Sequence, residues 1–568
     1  MIIKGIAVSA GIALGQAKVF RPLDCPLDYH LLPPSKLKQE CRHLQQALNN
    51  LIEQIKTSAK HLNVDSEHYQ LIEADLLLLE DEELQQELIN TITQLQFSAA
   101  LAVEHTFAKQ AQAMREMNSA YLSCRAEDVL SLGQRLVNLL LTGECVQLSA
   151  LPDNCIVLAK DITPAEFATL PLDKIAGLVL QTGGVTSHTA ILARSAAIPT
   201  LMSCPCDLDI IIDGTTVAID ALQGEVIIEP TADQIELLQQ LQQQAIQRKL
   251  GLEKFKHQLT QTQDGHQVAL LANVGSISEI NHLAEVGAEG VGLFRTEFMF
   301  MNSDQLPDEE QQYRLYCDAL RLLDGKPLTI RTIDLGADKD VPSLTMPKEE
   351  NPALGVRGIR YTLSHTALFR SQLQAILRAA NHGPIRLMFP MVNQVEELDT
   401  VFEIIEQCKL ALNEAEQGYG DVELGIVVET PAAVINLESM LPLLDFISIG
   451  TNDLTQYAMA ADRTNPYFIN KYPVLSPAIV KLIAQTINSA KQQNITVSVC
   501  GELASNPIAA PLLIGLGVDE LSVSIASLLE VKQALSQWCY EDCVTLAQQA
   551  TVTTRIAELN QLLTCCHS

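Results

Sequence analysis

The sequence is poor in aromatic residues, which make up 4% of the chain and include a single tryptophan, and it is also poor in basic residues. It has 38 lysines and arginines and 68 aspartates and glutamates, which gives a formal net charge of −30 over 568 residues. So large an acidic excess disfavours binding to the phosphate backbone of nucleic acids and to anionic membranes. A basic protein partner is compatible with it.

Long apolar runs and closely paired cysteines are also missing. No charge-free run approaches the roughly 18 apolar residues that a membrane-spanning helix needs, and the apolar first 20 residues end like a strand rather than a cleaved signal. The 14 cysteines show no metal-type spacing, since only Cys204 with Cys206 and Cys565 with Cys566 are close in sequence. We therefore expect a cytoplasmic protein with reduced thiols and no membrane insertion.

The pattern of apolar residues divides the chain into domains. From Leu37 they recur at alternating spacings of four and three, which predicts a block of amphipathic helices. Short strand-like stretches precede and follow this block, so it interrupts a small α/β domain. The predicted domains are the α/β domain at residues 1–21 and 145–230, the helical subdomain at 22–144, a linker helix at 231–262 and a final domain at 263–568.

The final domain alternates strand-like and helical stretches, with eight strands between VALLANV at 268–274 and DELSVS at 519–524. Continuous apolar strands that are each followed by a helix are typical of a (β/α)8 barrel. The predicted fold class is therefore a multidomain α/β chain whose α/β domain is interrupted by helices and whose last domain is such a barrel.

Polar residues concentrate at the C-terminal ends of the predicted strands, where a (β/α)8 barrel assembles its active site. Arginines and a lysine there would form a cage for a compact, highly anionic substrate. They are Arg295, Arg331, Arg357, Arg463 and Lys339. Glu429 and Asp453, on successive strands, could share a Mg²⁺ ion with water and substrate oxygens. Singly, each residue is more typical of a structural ion pair at a barrel rim, but seven at one rim favour a site.

Two further residues carry chemistry. Cys500, in SVCGEL at a strand end, is either a buried small apolar residue or a catalyst that faces the cage. His188 lies in GGVTSHTAILARS, where Thr186 or Ser187 can cap a helix. In the first turn, the unpaired amides and the helix dipole would stabilise a phosphate carried on the imidazole. The alternative is a helix start with a solvated histidine.

Taken together, these stretches resemble enzyme I, the phosphoenolpyruvate-protein phosphotransferases of the bacterial sugar phosphotransferase system. The similarity covers essentially the whole chain. The residues that carry it are GGVTSHTAILARS, EGVGLFRTEFMFM, IRTIDLGADKDVP, EENPALGVRGIR, LMFPMV, VVETPAA, DFISIGTNDLTQYAMAADR and VCGELASNP.

The resemblance assigns a role to each site residue. It implies that His188 is the phosphorylated nucleophile and that Cys500 protonates the enolate carbon to release pyruvate. Mg²⁺ on Glu429 and Asp453 would hold phosphoenolpyruvate together with the basic cage and Asn452.

The resemblance also implies partners. In the family, the helical subdomain binds the small phosphocarrier protein HPr and the barrels form a homodimer. The candidates for the carrier contact are Glu73, Glu82, Glu83 and Arg125. From its residues alone, the acidic run at 80–83 is a solvated helix face that could also steer a basic partner.

The chain departs from the family pattern near His188 and on the carrier face. Val185 replaces a frequent arginine, Phe167 replaces a frequent threonine, and Asp75 replaces a frequent histidine before the LLED run. The sequence is compatible with three functions. They are a phosphotransferase acting on HPr, a paralogue whose His188 phosphorylation serves regulation or another carrier, and a barrel lyase or aldolase. The last leaves His188 without a role.

Overall fold

The computed structural model describes residues 1–20, 27–59, 67–116, 120–143, 151–162, 166–167, 170–183, 188–196, 198–208, 210–301, 306–335, 349–463, 465–469 and 471–565. The chain divides into two compact units, Met1–Arg248 and Lys249–Ser568. The predicted multidomain α/β class is confirmed, with a helical block and a mixed sheet in the first unit and a closed parallel barrel in the second. The exact domain boundaries stay predictions.

The helical block packs amphipathic helices around an apolar core. Its described helices are Leu37–Ala59, Glu67–Glu80, Glu82–Leu95, Ala99–Glu116 and Ala120–Thr142. Leu48, Leu88 and Leu136 are among the residues that meet in its centre. Asp81 of the acidic run caps the helix Glu82–Leu95, because its side chain accepts a hydrogen bond of 3.0 Å from the amide of Glu83.

The α/β part of the first unit is an eight-stranded sheet. Its strands are β1 Ile2–Lys4, β2 Ile6–Ser9, β3 Ile12–Phe20, β4 Cys155–Ala159, β5 Ile175–Leu180, β6 Thr200–Met202, β7 Thr216–Asp220 and β8 Glu225–Ile228. They lie in the order β1-β8-β7-β3-β4-β5-β6-β2. Because β3 pairs with β4 across the helical block, the sheet confirms that this block interrupts the α/β domain. The helices His188–Ser195 and Ala232–Glu253 follow β5 and β8.

Gly5 joins the two edges of this sheet. It separates β1, which pairs with β8, from β2, which pairs with β6 at the opposite edge. The Gly5 amide donates to the Gly224 carbonyl at 2.9 Å. A Cβ atom on Gly5 would lie 2.2 Å from the Cys204 sulfur, so the close approach requires glycine.

The second unit is a closed barrel of parallel strands. They are β9 Ala269–Val274, β10 Val291–Arg295, β11 Leu328–Arg331, β12 Ile385–Phe389, β13 Val422–Val428, β14 Phe446–Ile449, β15 Thr496–Val499 and β16 Glu520–Ser524. They correspond to the eight predicted stretches. Each strand is buried and rich in β-branched or aliphatic residues, as parallel strands covered by helices require.

The helices of the barrel unit follow the strands. In the described part they are Ile277–Asn281, Leu283–Val286, Glu297–Met301, Glu309–Leu323, Ile359–Ser364, Thr366–Ala379, Val395–Glu414, Pro431–Met440, Thr451–Met459, Pro466–Ile469, Pro477–Gln492, Ala510–Gly515, Leu528–Leu535, Tyr540–Val552 and Ile556–Cys565. In the part of the chain that the structure describes, no helix combines the length and apolar character needed to cross a membrane.

An ion pair spans the interior of the barrel at the N-terminal ends of its strands. Arg386 of β12 reaches across to Glu520 of β16, which is four strands away in the closed order. Its Nη1 atom donates to both carboxylate oxygens at 2.7 and 2.8 Å, and its Nε donates to Glu423 at 2.8 Å. The guanidinium also lies over the Phe446 ring. The barrel is therefore filled by side chains at this end, and its other end is available for a site.

We expect Arg386→Met to destabilise the barrel by about 2–3 kcal/mol, between the costs known for exposed and fully buried pairs, because Glu520 would lose its partner. Lys409→Met, which breaks the exposed pair with Glu406, should cost less than about 0.5 kcal/mol. Urea unfolding followed by the fluorescence of Trp538 measures both, since this single tryptophan is buried in the barrel unit. Equal effects of the two variants would contradict the role given to Arg386.

Candidate active site

A small pocket lies at the C-terminal end of the barrel strands, with a volume of about 160 Å³. It brings together seven residues that the sequence predicted for the site. They are Arg295, Arg331, Glu429, Asn452, Asp453, Arg463 and Cys500. Glu297 and Asp334 also line it.

Local structure explains why these side chains converge. Arg295 and Arg331 end β10 and β11, and Glu429 and Cys500 directly follow β13 and β15. Asp453 lies in the first turn of the helix that follows β14. Because all strands of the barrel are parallel, their C-terminal ends meet at one rim, where residues far apart in sequence become neighbours.

Buried carboxylates and guanidiniums alternate along the rim. Arg331 donates to Glu297 at 2.5 Å and approaches Asp334 at 3.2 Å. Arg357 donates to Asp334 at 2.9 Å and to Asp453 at 3.4 Å. All five side chains are at most 10% exposed. We call this set of five residues the rim chain.

The rim chain holds its arginines in the charged state. Burial by itself would lower the pKa of Arg331, but the carboxylates of Glu297 and Asp334 raise it above its usual range. For Arg357 the same opposition holds, with Asp334 and Asp453 raising the pKa against the effect of burial. The two guanidiniums are therefore permanently charged and fixed in place before any substrate arrives.

Tyr457 connects the rim chain to a neighbouring loop. Arg357 donates from Nη1 to the Tyr457 hydroxyl oxygen at 3.0 Å, and that hydroxyl donates to the carbonyl of Ala353 at 2.5 Å. Tyr457 lies four residues after Asp453 on the same helix, so both side chains face Arg357. Tyr457 was not predicted from the sequence, although its spacing of four from Asp453 indicated a shared helix face.

Glu429 is a buried carboxyl group beside other acids. It is 2% exposed, and one of its oxygens accepts a hydrogen bond of 2.7 Å from the amide of Met391. Burial first, and then the negative charges of Asp453 and Asp334, raise the pKa of Glu429 to about 8. Two acids in this proximity repel each other unless a cation or a proton intervenes.

Glu429 and Asp453 fit a divalent cation. Gly450 leaves room for the carboxylate, because a Cβ atom there would lie 2.9 Å from the second oxygen of Glu429. In the described ranges, no group of three or more histidines, cysteines or acids is arranged to hold a metal by itself. Two carboxylates are the contribution expected where Mg²⁺ completes its coordination with water and substrate oxygens.

Cys500 faces the pocket from the interior of the barrel. It is 6% exposed and packs with Leu293, Val427 and Phe446. Burial raises the pKa of its thiol, which therefore stays protonated at neutral pH. Cys500 is thus a buried residue whose thiol lines the pocket, and its catalytic role stays a prediction.

The other predicted residues differ in how firmly they are held. The amide oxygen of Asn452 accepts a hydrogen bond of 3.0 Å from the Glu502 backbone amide, which holds this end of the carboxamide in place. Arg463 lies 4.0 Å from Asp453 and is 37% exposed at the pocket mouth. Lys339 lies outside the described residues.

His188 begins a helix in the first unit, as predicted, but its side chain lies outside the described residues, as does Val185. The neighbouring Thr189 is buried, and its hydroxyl donates to the Ile162 carbonyl at 2.7 Å. This bond ties the helix to the segment after β4. Phe167 is buried in the same apolar cluster as Ala190 and Ala193 of this helix.

The predicted carrier face is only partly described. Glu73, Glu82 and Glu83 are exposed, whereas the side chain of Arg125 lies outside the described residues. Asp75, which departs from the family pattern, lies 3.7 Å from Arg135. Both side chains are largely buried, which means that Asp75 contributes to the packing of the helical block.

Three family models match the chain. Residues 4–125 match the N-terminal domain of phosphoenolpyruvate-utilising enzymes, residues 151–224 match their mobile domain, and residues 249–540 match their phosphoenolpyruvate-binding domain. The chain is 35% identical to the phosphoenolpyruvate-protein phosphotransferase of Haemophilus influenzae over 99% of this chain and 98% of the relative. The chain belongs to the phosphoenolpyruvate-protein phosphotransferase family.

Other relatives agree. The phosphoenolpyruvate-protein phosphotransferase of Bacillus subtilis is 35% identical over 94% of each chain. A solution structure of an enzyme I protein is 32% identical and covers 43% of this chain and 99% of its own, with a TM-score of 0.39. Because relatives of about 35% identity over nearly the whole chain are phosphoenolpyruvate-protein phosphotransferases, the chain is an enzyme, as predicted.

We expect Tyr457→Phe to raise the KM for phosphoenolpyruvate about fivefold, because a bond to a charged group worth about 1 kcal/mol would be lost and Arg357 would be held less firmly. Steady-state phosphoryl transfer with varied phosphoenolpyruvate measures the change. Tyr419→Phe removes the same atom from a tyrosine whose hydroxyl contacts Asn413, and should leave the KM unaltered. An unchanged KM in Tyr457→Phe would remove Tyr457 from the site.

Proposed function

We propose that this enzyme transfers the phosphoryl group of phosphoenolpyruvate to His188, and from there to a histidine of HPr or an HPr-like carrier, as the first step of sugar uptake. One observation carries the proposal. Arginines, a pair of buried acids and a protonated thiol meet in one small pocket. This combination suits a substrate that is compact, highly anionic and converted to a ketone.

The arginines would bind the substrate and stabilise the transition state. Phosphoryl transfer depends mainly on positioning and on neutralising charge over the equatorial oxygens. Arg331 and Arg357 are already oriented by the rim chain, so little reorganisation accompanies binding. Arg295 and Arg463 line the same pocket without such tight pairing, and we assign them to the substrate together with Asn452 and Lys339.

Mg²⁺ would be held by Glu429 and Asp453. When bound, it supplies charge neutralisation and orientation for the phosphate oxygens. The raised pKa of Glu429 supports this assignment, because a nearby cation would offset both the burial and the repulsion by Asp453 that raise it.

His188 would act as the nucleophile. A neutral imidazole nitrogen forms the N–P bond while the P–O bond to the enol oxygen breaks, and the electron pair stays on the enolate. Cys500 would then give its proton to the enolate carbon to form pyruvate, and solvent would reprotonate the thiolate. His188 lies in the first unit and the pocket in the second. We infer that the predicted linker at 231–262 allows His188 to alternate between the pocket and the carrier.

The carrier would bind to the helical block. Exposed Glu73, Glu82 and Glu83 and the strongly acidic composition favour a basic partner. The buried pair of Asp75 with Arg135 is the observation that favours the second candidate, a paralogue serving a different carrier or a regulatory role. The homodimer through the barrel and the cytoplasmic location belong to the same proposal.

The first test follows labelled phosphoenolpyruvate. With Mg²⁺, the wild-type chain should acquire acid-labile label that passes to HPr, and His188→Gln should acquire none. His105→Gln, which alters an exposed histidine of the helical block, should behave as wild type. Label that stays on His188 would point to another acceptor. Absence of label on the wild-type chain would refute the proposal, and cleavage of a small keto acid by His188→Gln would favour the lyase.

A second prediction concerns Cys500. We expect Cys500→Ala to lower kcat for pyruvate release at least about 100-fold while the KM for phosphoenolpyruvate changes less than about threefold, because only proton donation is removed. Cys408→Ala, which removes another buried thiol, is the control and should retain kcat. Equal kcat values in the two variants would exclude Cys500 as the proton donor.

A further inference from the structure

A network of fully buried polar side chains lies behind the rim of the barrel. Its members, Thr296, Gln312, Tyr316 and Gln372, have no solvent exposure, and none of them lines the pocket. Burying polar groups is costly unless each is hydrogen-bonded, so a network in this place requires a physical reason.

Gln372 is the centre of the network. It lies on the helix Thr366–Ala379, and its Oε1 atom accepts a hydrogen bond of 3.1 Å from the amide of Ile333. Its Nε2 group donates to the Thr296 hydroxyl at 3.2 Å and to the Tyr316 hydroxyl at 3.5 Å. Thr296 in turn donates to the carbonyl of Arg331 at 2.9 Å. Both ends of the carboxamide are therefore used.

Two partners of Gln372, Thr296 and Ile333, lie on the turns after β10 and β11. These turns and the strand ends before them carry three of the five rim-chain residues and two arginines of the cage, Arg295 and Arg331. Thr296 stands between Arg295 and Glu297, directly after β10. The Ile333 amide lies between Arg331 and Asp334, directly after β11. The bond of 2.5 Å from Arg331 to Glu297 spans these two turns, so its geometry depends on their separation.

We propose that Gln372 is a positioning residue for phosphoenolpyruvate binding, which fixes the turns after β10 and β11 relative to each other. The inference rests on the proposed function of the pocket. Gln372 acts from the helix layer through Thr296 and Ile333 and sets where Arg295 and Arg331 present their guanidiniums. It does not touch the substrate.

The chemistry of the site selects a carboxamide. One partner is a backbone donor and the other is a hydroxyl that already donates to Arg331, so the side chain between them must accept on one side and donate on the other. The side chains of methionine and leucine offer neither the carbonyl acceptor nor the N–H donor that these two partners require. A misplacement of about 1 Å at a phosphoryl-transfer site costs about 100-fold in rate, which makes this spacing matter for catalysis.

The test compares Gln372→Met with Leu377→Ala. Both residues are fully buried on the same helix, and Leu377 lies in the apolar core, so its truncation controls for loss of stability. Trp538 fluorescence in urea reports the stability of each variant, and kinetics are measured where both are folded. Thr296→Val removes a single hydroxyl at nearly constant shape and provides a milder variant if Gln372→Met fails to fold.

We expect Gln372→Met to lower kcat/KM for phosphoenolpyruvate by about 10- to 100-fold, whereas Leu377→Ala stays within threefold of wild type at similar loss of stability. Thr296→Val should lower it in the same direction. The double variant Gln372→Met/Thr296→Val should lose less than the product of the two single losses, since both act through one hydrogen bond.

Two results would overturn the inference: a kcat/KM in Gln372→Met equal to that of Leu377→Ala, or independent effects of Gln372→Met and Thr296→Val. Failure of the proposed function is recognised separately. In that case the wild-type chain itself neither binds phosphoenolpyruvate in calorimetry with Mg²⁺ nor labels His188, whatever the variants do.

Discussion

Charge compensation along the barrel rim is the interaction on which the candidate site depends. Glu297, Arg331, Asp334, Arg357 and Asp453 alternate in sign within a buried surface, so each guanidinium is held by carboxylates before a substrate binds. Without the acids, arginines could not be buried at this density; without the arginines, the acids would take up protons. Glu429 shows the second effect, since burial and neighbouring acids raise its pKa.

The closed barrel makes this arrangement possible. Parallel strands bring their C-terminal ends to one rim, and the pair of Arg386 with Glu520 fills the opposite end. Behind the rim, Gln372 and Tyr457 connect the turns and the helices to the charged residues. Hydrogen bonds of Gln372 and Tyr457 thus reach the turn and the arginine that form part of the charged rim.

The first unit carries His188, the proposed site of phosphorylation. Under the proposed function, a phosphorylated histidine would be presented at the start of a helix and would move from one partner to another. The sheet provides a firm base, because Gly5 joins its two edges and Thr189 ties the His188 helix to the segment after β4. Two residues that depart from the family pattern fit the packing of this unit. Phe167 lies in an apolar cluster and Asp75 pairs with Arg135, so both are compatible with a stable domain.

The sequence by itself determined the fold class, the barrel strands, the position of the His188 helix and the polar residues of the rim. These follow from local periodicity and from the rule that strand ends meet, which need no coordinates. Only the tertiary structure decided which arginines are tied to which acids. Gln372 carried no sequence signal because its partners Ile333 and Thr296 lie 39 and 76 residues away. The spacing of Tyr457 from Asp453 indicated a shared helix face but not the partner Arg357, which is 100 residues away. Which arginine pairs with which acid across a closed barrel depends on strand register and on side-chain length. A local sequence pattern does not determine the register.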